Sequence, residues 1–146
     1  MANRFDMGKV EKQVRTQLEA SLVLMGRTAK TFFYDNFRKQ GFDDKNVTKW
    51  KPRKDQSRNS IGRAVLVKSG DLRRSIRFDT VNKANLSVRI ASDLPYAKIH
   101  NDGLTGRAWG KAPFKMPKRQ FIGDSWNLNE KVKKILITNI DKGFKQ

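Results

Sequence analysis

The stretch YAKIHNDG, residues 96–103, gathers the side chains best suited to chemistry. It holds His100, the single histidine of the chain, with Asp102 two residues on and Tyr96 four residues back. Such a set has three uses: a general base oriented by a carboxylate, a metal ligand, or a structural histidine. On a helix, residues four apart share a face and residues two apart do not. Tyr96 would therefore meet His100, while Asp102 would point elsewhere. One histidine without cysteines or nearby carboxylates does not make a zinc site, and the sequence has no cysteine. No G-x-S-x-G elbow is present, and no second histidine completes a metal pair. The glycine-rich stretch 103–110 lacks the G-K-[ST] ending of a phosphate-binding loop. Asp43 and Asp44 lie side by side in a basic segment, where they read as local counter-charges. The expectation is a protein that is not an enzyme, with no catalytic residue, no cofactor and no metal. His100 is expected to be partly buried against a sheet, with one ring nitrogen hydrogen-bonded.

Charge is the strongest compositional signal. Thirty-two Lys and Arg stand against 14 Asp and Glu among 146 residues, a net charge of +18. Such a field draws polyanions and acidic proteins and raises encounter rates with both. No segment approaches the ~20 apolar residues of a membrane span. The N-terminal stretch MANRFDMGKVEKQ lacks the apolar centre of a signal peptide. Both features lead us to expect a chain made in the cytoplasm, with no membrane partner.

Elements that would carry these residues follow from periodicity. Val10, Val14, Leu18, Leu22, Met25, Ala29, Phe32, Phe33 and Phe37 recur at spacings of three and four. This predicts one helix over 9–40, with Asp6 as N-cap and Gly41 as the C-terminal stop. Gly26 lies inside it and marks a bend or a close contact. A helix of that length runs about 48 Å, longer than one small core covers, so one end is expected against another subunit. Residues 41–65 read as a long basic loop with Trp50 as its large apolar anchor. A short helical turn around Leu72 is capped by Ser69 or Asp71. Ile76, Phe78 and Thr80, then Leu86, Val88 and Ile90, alternate around the turn NKAN and predict an antiparallel hairpin. Residues 96–101 form a short helix after Pro95. Residues 102–120 form a second basic loop, with a strand near 114–116. The closing helix spans 126–145, with Asn127 and Glu130 as a capping box. Leu128, Val132, Ile135, Leu136, Ile140 and Phe144 make its apolar face. The fold class is α+β in one domain, 1–146: a long N-terminal helix and a C-terminal helix packed on a small antiparallel sheet, with hairpin and core at 66–101 and long basic loops.

Four stretches in order carry a resemblance. Trp50-Lys51-Pro52 precedes LVKSGDLRRSI (66–76), then YAKIHNDG, then MPKRQFIGDS (116–125) before a helix. The order resembles the phage virion morphogenesis family, the tail-completion proteins of contractile-tailed phages. Asn101 departs from it, standing where Gln or Glu is frequent. The resemblance makes Trp50, Ser69, Gly70, Leu72, Ser75, Ile76, Tyr96, Ala97, His100, Gly103, Pro117, Arg119 and Phe121 a structural motif. Tyr96, Ala97 and His100 would dock a short helix on the sheet, Ser69 and Gly70 would turn the chain, and Phe121 would anchor the last helix.

The same resemblance implies a virion protein at the head-tail junction, assembled in the host cytoplasm. It would be a ring-forming homo-oligomer contacting other neck, connector and tail proteins. Packaged DNA would be a further, non-specific contact. Residues 38–77 hold 13 Lys and Arg against 4 Asp. Lys51, Arg53, Lys54, Arg58, Arg63, Arg107, Lys111 and Lys115 are the candidate contacts to DNA or an acidic partner. Trp50, Trp109 and Phe114 sit in the same loops as candidate aromatic anchors. The alternative is a sequence-independent DNA-binding protein acting free in the cell.

Overall fold

The computed structural model describes residues 6–54, 58, 61–79, 81–107 and 112–145. Helix α1, Met7–Lys39, carries the long apolar stripe. Asp6 caps it, its carboxylate accepting from the Lys9 amide at 3.2 Å. Leu22, Met25, Ala29, Phe32, Phe33 and Phe37 are all buried along its inner face. The stop is Gln40 rather than Gly41. Gln40 takes the left-handed conformation (φ 52°), and its amide donates to the Asn36 carbonyl. A side chain in that region costs about 1–2 kcal/mol. Its own amide group supplies compensating bonds, donating to the Phe37 and Val65 carbonyls at 2.7 and 3.2 Å and accepting from the Val65 N–H.

Two antiparallel strands follow at once, β1 (Gly41–Asp43) and β2 (Val47–Lys49), with Phe42 opposite Thr48. The segment expected as one long loop thus opens with a hairpin. Three-residue strands show too little alternation to be read from sequence. The short helix α2, Asp71–Arg74, buries Leu72 after the left-handed Gly70 (φ 77°). Ser69 Oγ accepts from the Asp71 amide at 3.4 Å. Strands β3 (Arg77–Phe78) and β4 (Ile90–Ala91) form the expected hairpin, extended by the bridge between Asn82 and Ser87. Asn82 Oδ1 accepts from the amides of Ala84 and Asn85, closing the turn as Asx side chains do. The hairpin seats on α1 at Gly26, where a Cβ would come within 2.9 Å of Phe78 and Val88. Gly26 therefore serves close approach.

Helix α3 spans Ala97–Asp102. The second expected loop contains a hairpin too, β5 (Thr105–Arg107) with β6 (Pro113–Lys115). Three separate two-stranded ribbons thus replace the single small sheet, within the same α+β class.

Helix α4, Trp126–Lys145, lies antiparallel along α1. Lys131 stacks over the Phe32 ring, Asn139 bonds Ser21 Oγ at 3.0 Å, and Gly143 touches Val14. The expected capping box does not form. Ser125 caps the helix, its buried Oγ accepting from the Leu128 amide at 3.2 Å. Asn127 instead donates to Asp43 at 2.7 Å, and Asp44 accepts from the Trp126 amide at 2.7 Å. The two aspartates thus fasten the start of α4 to the β1–β2 turn. Phe144, expected on the inner face, is exposed. α4 and the β3–β4 turn reach along α1 as far as Val14, but the buried face of α1 begins only at Ser21.

The main apolar cluster joins Phe33, Phe37, Trp50, Leu72, Ile76, Phe121 and Leu128. Fully buried Asn36 crosses it, donating to the Phe121 carbonyl at 3.1 Å and accepting from the Asp43 amide at 3.2 Å. Asn36→Ala leaves both groups buried without partners. The expected loss is about 3 kcal/mol, read as a lower urea midpoint at unchanged slope. A loss under about 1 kcal/mol would show that those two groups are satisfied otherwise.

Candidate functional site

Residues 116–122 run through the protein without belonging to any helix or strand. Buried backbone in such a path must find hydrogen-bond partners, and here side chains and loops supply them. The Arg119 amide donates to the His100 carbonyl at 2.8 Å. The Gln120 carbonyl accepts from Trp50 Nε1 at 2.7 Å. The Phe121 carbonyl accepts from Asn36, and the Phe121 and Ile122 amides both donate to Asn101 Oδ1, at 2.9 and 3.0 Å. Next to this strap the chain passes Gly103, left-handed at φ 71°, where a Cβ would stand 2.8 Å from the Lys118 backbone. Pro117 is half-buried at its start.

Arg119 ties the strap to the first basic loop. It is 6% exposed. Its Nε donates to the Lys51 carbonyl at 3.0 Å and its Nη2 to the Pro52 carbonyl at 3.3 Å. No ion pair among the described residues includes it. Burial, with the like charge of Arg53, pulls its pKa below the ordinary arginine value.

The resemblance motif gathers around this strap. Phe121 and Trp50 each pack against Phe37 with ring centroids 5.3 Å apart. Ile76, Leu72 and Ala97 are buried beside them. Ser75 Oγ bonds the Leu72 carbonyl and Ser92 Oγ, at 2.8 and 2.6 Å. Trp50, expected also as a surface anchor, is a core residue, because its ring fills the space between Phe37 and the strap. Phe114 is 37% exposed on β6. Trp109 and Lys111 lie outside the described residues.

His100 differs from expectation. Its carbonyl, not its ring, bonds the strap. Among the described residues its buried Nδ1 has no hydrogen-bond partner. The ring meets Tyr96 edge-on at 6.0 Å between centroids, and Tyr96 is 39% exposed. The two rings line a surface cavity rather than docking α3 on a sheet. Burial first, then the Arg119 charge, push the His100 pKa below its usual value. The Asp43 pKa is lowered too, for a different reason: burial raises its carboxyl, but hydrogen bonds from Lys39 and Asn127 outweigh that and hold it below the usual range.

Sequence reasoning missed Asn36, Gln40 and Ser125, and it noted Asn101 only as a departure from the family pattern; the one signal that could have found Asn36 is its place inside an aromatic stripe. The expected basic contacts lie outside the core. Lys51, Lys54, Arg58, Arg63, Arg107 and Lys115 are exposed, and Arg53 is half-buried. No cluster of metal-ligating side chains occurs among the described residues, and no described helix is long and apolar enough to cross a membrane.

A family model described as the phage virion morphogenesis family matches residues 7–141. No curated protein and no solved structure matches the chain.

His100 offers a clean pH probe because the chain has one histidine. Its folded pKa is depressed, so the unfolded state binds the proton first. Stability is then complete above the unfolded value of about 6.5 and falls as pH drops through the folded pKa. Melting curves from pH 7.5 down to 5 should show this decline in the wild type. His100→Gln should flatten it. A decline of equal size in the variant would assign it to other groups.

Proposed function

The chain belongs to the phage virion morphogenesis family, and from that premise we propose that it acts at the head-tail junction as a tail-completion protein. Coarser statements need no proposal: it is a phage virion morphogenesis protein whose partners are other virion proteins. The observation that carries the finer reading is a match across residues 7–141, which takes in the whole strapped core. Within that core Arg119, Asn36 and Asn101 hold the chain together through their hydrogen bonds. That suits a part that must keep its shape under load.

The working surfaces are then the basic loops. In this proposal each protomer joins a ring around the channel, because head-to-tail contacts close into rings when the rotation allows. Lys51, Lys54, Arg58, Arg63, Arg107 and Lys115 face polyanion, and the motif residues from Trp50 to Phe121 set the frame that presents them. Cations in loops neutralise phosphates without reading bases. The rival reading, a DNA binder acting free in the cell, draws on the same +18 charge and differs in where the protein ends up.

Three experiments test this. A phage deleted for this protein should yield filled heads and tails that fail to join, or tails unstable at the head-proximal end, in electron micrographs of lysates. Mass spectrometry of purified wild-type virions should find the chain. Infectious particles from the deletion, or virions without the protein, would favour the free DNA binder. Separately, binding to duplex DNA should be independent of sequence. Log affinity should fall against log salt by about 0.9 per phosphate contacted. A preference of about 1,000-fold or more for one sequence is the mark of a specific reader and would refute contact through the backbone alone.

A further inference from the structure

A cavity of about 280 Å³ opens beside the strap, between the 65–72 segment and α3. Its inner wall is apolar: Val65, Leu66, Leu72 and Met116. Arg53, Lys68 and Arg119 contribute three cations to the same cavity, with Tyr96 and His100 between them. None of these three cations has a carboxylate partner among the described residues. Like charges drawn together around partly dry space repel each other, and a negative group in that space relieves the repulsion.

The wall is also held in an unusual form. Leu66 has a positive φ of 61°, a left-handed conformation rare for such a side chain. The reciprocal pair of hydrogen bonds between the Gln40 side-chain amide and the Val65 backbone fixes the preceding residue. Strain of this kind persists where the surroundings over-determine it, and it gathers at binding sites.

We infer that this cavity is a socket for an acidic, aliphatic segment of another virion protein, its apolar side chain against Leu66, Leu72 and Met116 and its carboxylate toward Arg53, Lys68 and Arg119. This rests on the reading of the chain as a virion assembly protein. Charge complementarity calls for the acid, and the apolar wall decides its source. A DNA phosphate would satisfy the cations but would leave four apolar side chains facing a hydrophilic ligand. Exposed loop lysines serve phosphate better.

The test uses the full chain and the resonance of its one histidine. The probes are a capped tetrapeptide of alternating leucine and glutamate, the same peptide with lysine for glutamate, inorganic phosphate, and a short DNA duplex. The groups that share the cavity with His100 are Tyr96 just ahead of its helix, Arg119 on the strap, and Arg53 and Lys68 across the cavity. A bound carboxylate offsets the two guanidinium charges. The glutamate peptide should therefore shift the His100 ring signal saturably and raise its apparent pKa, and the lysine peptide should do neither.

Lys68→Glu, at an exposed position, should weaken the peptide about tenfold or more, the scale of one charge-assisted hydrogen bond. Its melting temperature should match the wild type. Arg53→Gln should weaken the peptide similarly. Equal response to both peptides, or an unaffected Lys68→Glu, would overturn the socket. So would a duplex or phosphate that displaces the glutamate peptide at equal charge concentration, which would assign the cavity to phosphate. Absence of the chain from purified virions would instead remove the assembly reading while leaving peptide binding as measured.

Discussion

A partly buried, irregular stretch of backbone governs this structure. Residues 116–122 cross the core without a helix or sheet to satisfy their peptide groups, and an unpaired buried peptide group is costly. Each partner therefore comes from a different part of the chain: Trp50 after the first hairpin, His100 and Asn101 on α3, Asn36 on α1. Fixing that strap fixes the relative positions of everything it touches. The residues of the family resemblance are largely those that hold or flank it: Trp50 and Arg119 through their side chains and His100 through its carbonyl.

The acidic side chains show a parallel economy. Asp6 caps α1, while Asp43 and Asp44 fasten the start of α4. Asp71 pairs with Arg74, and Asp79 with Arg77. Carboxylates engaged in local structure leave many basic side chains of a +18 chain exposed, among them Lys51, Lys54, Arg63, Arg107 and Lys115. Surface ion pairs of this kind add little stability each. Their effect here is on where the positive charge remains.

The cavity beside the strap follows from the same arrangement. Arg119 must be buried to reach the Lys51 and Pro52 carbonyls, and this brings its charge to a wall shared with Arg53 and His100. Gln40 closes α1 and at the same time pins Val65, so the end of the long helix shapes the cavity rim. A partner seated there would sense the strap directly, which links binding at the surface to the firmness of the core.

Much of the architecture was legible in the sequence because its signals are local. A spacing of three and four along 33 residues needs only helix geometry to be read, and α1 and α4 emerged within a residue or two. The β3–β4 hairpin was legible from alternation and an asparagine turn, and the absence of disulfide or thiolate chemistry from the lack of cysteine. Strands β1, β2, β5 and β6 were too short for alternation to distinguish them from loop. Tertiary structure alone decided the hydrogen bonds that join residues 85 apart, as Asn36 and Phe121, or 82 apart, as Asp44 and Trp126. It alone turned Trp50 inward, took the cap of α4 from Asn127 to Ser125, and left the His100 Nδ1 without a partner among the described residues while using the His100 carbonyl. Which polar side chain meets an irregular backbone depends on where the folded chain brings it, and periodicity carries no record of that.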